Sequence, residues 1–377
     1  MRRRLTFAAA TSLAAALLAL AQPVGSPASA ASTPGAPPPP TTATDGSAAE
    51  SESGSETAPP TVDRIITDTR ILEASGLVAS TRHAGVVWVH EDSGRPARLY
   101  AVNRNGVTAA TFDLRGIQQV DWEAIAMTRD PRNRWMLAVG DIGDNSAVRQ
   151  EVRVLLVREP TTLKNGRLSV QRVLRLRYPN GPVDAETLVA DPRTRRLYVV
   201  TKGFLGGEIY AVPPQAWPGG TDAAAESRTW PLELVARVDL GSVTDGTFLP
   251  DGRLVLRSYG SMVLFEDPAQ AEGTLQPLAT TVLPSQPQGE AVTLGAGGTS
   301  LLIGSEGVRQ PLLRVSLPAD AVEQAASDTA TPTAVSAART SAGEGAGNGL
   351  PSFLVLVVIA GIVLLVLIFA AVLIALR

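Results

Sequence analysis

The chain has 377 residues, no cysteine and a formal net charge of −3. The missing cysteine excludes disulfides, thiolate chemistry, cysteine-containing zinc sites and lipid attachment through an N-terminal cysteine. The charge leaves no electrostatic case for a nucleic-acid partner.

Residues 1–30 open with Arg2, Arg3 and Arg4, run apolar from Leu5 to Ala21, and reach Ala28, Ser29 and Ala30. A charged start, an apolar middle and a small-residue exit predict a secretory signal peptide, cleaved after Ala30. Residues 31–62 are Pro, Ser, Thr, Ala and Glu with almost nothing to bury, and include four consecutive prolines from Pro37 to Pro40. Such a composition predicts a disordered segment.

Residues 63–318 form the one stretch able to bury a core. Short runs rich in Val and Leu alternate with Gly, Pro, Asn and Asp, and no amphipathic helix stands out, so the expectation is all-β. One three-strand pattern recurs five times: 73–79, 86–92 and 98–102; 121–127, 135–141 and 152–157; 184–190, 197–202 and 208–212; 244–249, 254–258 and 262–265; 288–294, 301–306 and 312–317. Four copies are followed by a further alternating strand, near 107–114, 168–176, 232–240 and 275–283. The last copy has none, and the segment 64–72 at the other end is an orphan strand that supplies it. A ring of four-stranded blades closed by that N-terminal strand leaves no exposed edge. The prediction is a five-bladed β-propeller, with a sixth blade hidden in the longer second or third repeat as the alternative.

Beyond it, residues 319–351 are an Ala, Ser, Thr and Gly linker, expected to be flexible with a reach of roughly 30 Å. Residues 352–376 carry no charge. At about 1.5 Å per residue a helix there is long enough for a hydrocarbon core of about 30 Å. Arg377 at its end favours the cytoplasmic side. The expectation is a single-pass cell-membrane protein whose propeller is extracellular, with the C-terminal helix as its membrane contact and an unidentified extracellular ligand or protein as its partner. Lys164 and Lys202 are the only lysines beside many arginines, a bias that points to a GC-rich, actinobacterial genome.

In such a ring, the start of each inner strand and the loop between second and third strands share one face. The repeats therefore bring Asp121 and Glu123, Asp184 and Glu186, Asp245, and Glu290 together, with Ser75 as the exception. Around them fall His90, Glu91 and Asp92, then Asp141, Asp144 and Asn145, and lastly Lys202, Arg257 and Glu306. Crowded carboxylates raise one another's pKa unless a cation intervenes. A hard divalent ion, calcium, fits a set that offers only oxygen. The loop carrying Asp141, Asp144 and Asn145 resembles a metal loop without matching EF-hand spacing. The same acids equally suit hydrogen bonds to the amides of neighbouring blades, with Lys202, Arg257, His90 or Arg149 as ion-pair partners. Catalysis has a thin basis: there is no Gly-x-Ser-x-Gly elbow and only His83 and His90 offer imidazole. A carboxylate-activated water attacking a phosphoester, with Lys202 and Arg257 as oxyanion partners, is chemically open.

The strings Ala74-Ser75-Gly76-Leu77, Asp121-Trp122-Glu123-Ala124-Ile125-Ala126 and Gly140-Asp141-Ile142-Gly143-Asp144-Asn145 resemble secreted bacterial β-propellers of the SdiA-regulated and phytase-like groups. The five-fold count with an acidic residue on the inner strands is similar to the calcium-activated apyrases. That likeness implies Glu123, Glu186, Asp245 and Glu290 near a calcium ion, with Ser75 a departure. What the resemblance implies is a site location. The functions in view are a non-enzymatic, calcium-stabilised binding module and, as the alternative, a calcium-dependent phosphoester hydrolase at the same channel mouth.

Overall fold

Among the described residues, runs of branched and aromatic residues between Gly, Asp and Pro turns fold as 23 short strands from Thr61 to Ser316. The computed structural model describes residues 59–317 apart from 93, 95 and 217–226. The predicted signal peptide, most of the 31–62 segment, the 319–351 linker and the 352–376 span lie outside the described residues. Among the described residues no helix is long and apolar enough to cross a membrane.

A closing strand β1 (Thr61–Ile65) comes first. The first blade is β2 (Gly76–Ala79), β3 (Val87–His90), β4 (Arg98–Val102) and β5 (Thr108–Leu114). The second is β6 (Trp122–Arg129), β7 (Trp135–Asp141) and β8 (Val152–Arg158), followed by a short β9 (Gly166–Leu168) and then β10 (Val170–Arg177). The third has β11 (Ala185–Ala190), β12 (Leu197–Thr201), β13 (Gly207–Ala211), a short β14 (Thr229–Pro231) and β15 (Glu233–Val238). The fourth has β16 (Asp245–Phe248), β17 (Leu254–Arg257), β18 (Ser261–Phe265), a short β19 (Gly273–Leu275) and β20 (Pro277–Val282). The last has β21 (Val292–Leu294), β22 (Ser300–Ile303) and β23 (Pro311–Ser316).

These strands make five antiparallel-cored sheets. Their innermost strands β2, β6, β11, β16 and β21 pack in turn around one axis, with β21 returning to β2. The fold is a five-bladed β-propeller, and the described residues hold no sixth sheet. β1 pairs antiparallel with β23, Thr61 opposite Arg314 and Ile65 opposite Pro311, so the N-terminal end supplies the outer strand of the last blade.

Two details differ from the expected boundaries. The closing strand is Thr61–Ile65 rather than 64–72, so it begins inside the stretch expected to be disordered. After Ile65 the chain turns, because Asp68 accepts from the backbone and side chain of Arg70. Ile66 and Ile71 then drop into the core between the last and first blades with Val87, Val89 and Leu312. Their apolar spacing imitates a strand. Second, the strands expected at 168–176, 232–240 and 275–283 are each preceded by a separate short strand that leaves its own blade. β9 pairs parallel with β5, β14 with β10 and β19 with β15, each on the outer strand of the preceding blade. Three outer edges are thus covered, which removes templates for edge-to-edge association.

Between blades the core is aromatic and aliphatic. Trp88 and Trp122 are fully buried between the first two blades, and Trp88 Nε1 donates to the carboxylate of Glu159 at 3.1 Å. Trp135 is only half-buried, lying beneath the guanidinium of Arg129 at 3.8 Å.

Ring closure depends on one close backbone approach. Gly106 has φ 75°, and a Cβ there would lie 1.8 Å from the carbonyl oxygen of Ile65. Gly106→Ala is expected to cost about 2–4 kcal/mol, combining left-handed strain with displacement of the closing strand. Urea unfolding measures it, and an unchanged midpoint would show that this junction does not hold the ring.

Candidate functional site: the acidic mouth

The strand register sets which residues meet at this face. Gly76 lies opposite His90, Trp122 opposite Asp141, Ala185 opposite Thr201 and Asp245 opposite Arg257. Every inner strand therefore starts where the second strand of its blade ends.

Part of the polar set there ties blades together. Ser75 Oγ donates to the carbonyl of Glu123 at 3.0 Å and to its Oε2 at 3.1 Å. Asp245 Oδ2 accepts from the amide of Val292 at 2.7 Å, and Thr244 Oγ1 donates to the carbonyl of Gly289 at 3.1 Å. Asp184 Oδ1 accepts from the amide of Asp144 at 2.8 Å.

Another part converges on one point. Asp92, Asp121 and Glu123 each present an oxygen within 4.8 Å of the others. Gly143 lies so close that a Cβ there would sit 2.4 Å from Glu123 Oε1 and 2.6 Å from Asp121 Oδ2. Only glycine fits without displacing those carboxylates. Glu186, 5% exposed, gives one oxygen to Lys202, while its buried Oε2 has no hydrogen-bond partner among the described residues.

The electrostatics link this group to Glu290 and Glu306. Burial, followed by the charges of Asp92, Glu186 and Asp121, pushes the Glu123 carboxyl up to about 10. Burial pushes Glu186 up to about 8, with Glu290 adding to the rise and Lys202 opposing it. Asp121 rises to about 7 through burial and the Asp92 charge, and Glu306 to about 7 through burial and Glu290. Lys202 loses ground to burial, yet its bonds to Glu186 and Tyr259 hold it well above the usual lysine range. Its ammonium lies 5.3 Å from the Tyr259 ring centroid.

The expected site residues thus divide. Asp92, Asp121, Glu123, Glu186, Glu290, Glu306 and Lys202 share the mouth, and Asp184 sits at its rim. Asp141 is held by Arg149 at 2.8 Å and by Arg153. Asp144 accepts from the amides of Val148 at 3.0 Å and Arg149 at 2.7 Å, which shapes its own loop, and Asn145 is exposed. Asp245 is buried in the joint of the last two blades. Arg257 is fully buried too, donating to the carbonyls of Ala291 at 2.7 Å and Gly304 at 2.8 Å. His90 is a core residue: its ring stands edge-on to Trp122, and burial lowers its pKa to about 4, which keeps it neutral. Glu91 accepts from the amide of Leu72 at 2.8 Å and so braces the chain entering the first blade.

Sequence reasoning overlooked Gly143, Ser75 as a donor to Glu123, and Tyr259 beside Lys202. Ser75 left a signal, as the one inner-strand start without a carboxylate.

The donor set fits a hard cation. It offers carboxylate oxygen alone, with Glu123 and Asp121 raised first by burial and then by neighbouring carboxylates, and calcium takes 6–8 such ligands with carbonyl or water oxygens completing the shell.

No protein-family model matches this chain, and no curated protein does either. Three solved structures are similar to part of this chain. A gluconolactonase from Xanthomonas campestris is 14% identical, with TM-score 0.36 over 68% of this chain and 88% of its own. A putative oxidoreductase (glucose dehydrogenase) from Thermus thermophilus is 13% identical, with TM-score 0.38 over 69% of this chain and 100% of its own. The glutaminyl cyclase of Myxococcus xanthus is 12% identical, with TM-score 0.41 over 68% and 96%. Likeness at this level transfers no chemistry. The blade count stands on the strand pairing of this chain.

Proposed function

We propose that the chain is an extracellular binding module, held at the cell membrane by its 352–376 segment, whose acidic mouth takes a calcium ion and presents it to an oxygen-bearing ligand or partner. One observation carries this reading: the oxygens of Asp92, Asp121 and Glu123 converge within 4.8 Å against the bare backbone of Gly143. The partnerless Oε2 of Glu186 supports it independently. Asp92, Asp121 and Glu123 would hold the ion, which supplies fixed positive charge where carboxylates otherwise repel. The resemblance of the Asp121–Ala126 string to SdiA-regulated and phytase-like propellers is consistent with such a site and belongs to the proposal.

Binding is favoured over phosphoester hydrolysis because the cations expected to steady a developing oxyanion are committed elsewhere. Lys202 is paired with Glu186, and Arg257 is sealed in a blade joint.

Calorimetry of the full chain in detergent tests the metal claim. Free calcium at about 100 times its Kd adds about 2.7 kcal/mol, which for a domain of this size raises Tm by roughly 5–10 °C. Glu123→Gln is expected to abolish the rise. A Tm indifferent to both millimolar calcium and chelator sinks the proposal. Calcium-dependent phosphatase or nucleotidase turnover, lost in folded Glu123→Gln and Glu186→Gln variants, would replace binding with hydrolysis.

A further inference from the structure

The inner strands also end somewhere. At the opposite end of the channel they enclose a cavity of about 260 Å³. Its wall is apolar, drawn from every blade: Leu77, Ile125, Leu188, Phe248, Val292 and Leu294. This is slightly smaller than the roughly 300–1,000 Å³ of typical small-molecule pockets, which are apolar with a few placed polar groups.

Charged groups in the lining are few, and those left without an ionic partner among the described residues are positive. Asp191 is the single acidic residue of the lining, and its oxygens are already taken by Arg193 and Thr194. Two arginines, Arg129 and Arg195, stand at the edge, and both also line a neighbouring cleft of about 470 Å³. That cleft contains two more, Arg193 and Arg196, which are paired with Asp191 and Asp267 and with Glu233. Arg129 and Arg195 make no ion pair among the described residues. Arg129 Nη1 donates to Asn133 Oδ1 at 3.0 Å and stacks on Trp135; Arg195 Nη1 donates to the carbonyl of Asp130 at 3.4 Å. The two guanidiniums shared by both cavities are thus the two left without a carboxylate.

Thr128 supplies a second, independent sign. It is 3% exposed, lines the cavity, and its Oγ1 has no hydrogen-bond partner among the described residues. A buried hydroxyl left unsatisfied costs about 1–3 kcal/mol.

We propose that this cavity binds a small monocarboxylate with an apolar body: the body occupies the chamber between the inner strands, the carboxylate pairs with Arg129 and Arg195, and Thr128 lies within the site. An arginine fork matches a carboxylate through two parallel hydrogen bonds, and an apolar wall rejects a fully polar anion. A cationic amphiphile meets like charge at the edge, and a neutral one leaves the guanidiniums without gain. The proposal does not depend on the acidic mouth, which lies at the other end of the inner strands.

Isothermal titration of the full chain with hexanoate, against 1-hexanol as the uncharged control, tests it. Hexanoate is expected to bind at least tenfold more tightly than hexanol. The Arg129→Gln/Arg195→Gln double variant should weaken hexanoate at least tenfold with little change for hexanol, because Arg195 is exposed, Arg129 is half-buried, and neither belongs to the core. Ala79→Phe, which fills the chamber from β2, should abolish binding of both. Fluorescence of Trp135 should respond to hexanoate, and the response should vanish in Trp135→Phe. Binding should survive Glu123→Gln and chelator, which separates this site from the mouth. Equal binding of acid and alcohol, affinity unchanged in the arginine double variant, or no heat at millimolar hexanoate each overturns the proposal.

Discussion

Arg257→Ala is expected to destabilise the propeller by about 3–5 kcal/mol, the range for breaking a buried charged tie from one side. Its guanidinium lies wholly inside the joint of the last two blades and donates to Ala291 O, Gly304 O and, at 2.5 Å, Gln286 Oε1. Burial pulls its pKa down to about 10, while Asp245 and Glu290 hold it up. Alanine would strand two carbonyls and an amide oxygen, and Gly289, which presses against the guanidinium, has no side chain to replace it. Lysine should rescue little, since a point charge cannot serve carbonyls on separate strands as a planar fork does. Asp245→Asn should cost under about 1 kcal/mol. Burial drives the Asp245 carboxyl well above the usual range, and asparagine keeps the acceptor for the Val292 amide. Urea midpoints of the three variants read this asymmetry, and an Arg257→Ala loss no greater than that of Asp245→Asn contradicts it.

In chelator, stability is expected to fall as pH rises from about 5 to 9. Glu123 titrates near 10 and Glu186 near 8 in the folded chain, against 4.5 for an ordinary glutamate. Below the unfolded value both states are protonated and the contribution is fully present. Above it the unfolded chain releases protons that the folded chain retains, so stability is lost as pH climbs towards the folded values. The loss is on the order of a few kcal/mol, dominated by these two residues, because water screens the half-buried Asp121 and Glu306. Glu123→Gln should flatten the slope and be more stable than the parent at pH 8 without calcium. Saturating calcium should flatten it too, since a bound cation replaces the protons. Melting curves at four or five pH values settle the sign; stability that stays level or rises in chelator would show the mouth is not crowded as described.

The pattern of repeats was legible because the same three-strand string recurs five times, its inner strands buried along nearly their whole length, and because the last repeat visibly lacked a partner. Boundaries were less legible where apolar spacing and strand formation part company. Ile66 and Ile71 are spaced like strand residues but serve as plugs, and β9, β14 and β19 read as extensions of the strands that follow them. Pairing to a preceding blade is a long-range choice with no local signature.

The shared face was legible from the sequence, while the partners of each side chain on it were not. Alignment of the repeats located the face, and Asp121, Glu123, Glu186 and Glu290 do share it. It could not distinguish carboxylates that face the opening from those spent on neighbours. Asp141 meets two arginines, Asp144 closes its own loop, and Asp245 serves an amide of the next blade. His90 and Arg257 looked like ligands because their types are reactive, but the register turns both into the core.

By itself the amino-acid order determined the all-β class, the five-fold repeat and the ring closed by its N-terminal end, since these follow from local periodicity and from counting strands. Only the tertiary structure decided which charges stay open. Burial and pairing depend on distances between blades, and no spacing along the chain encodes that Gly143 leaves room beside Glu123 or that Arg129 and Arg195 have no acidic partner among the described residues at the far end of the channel.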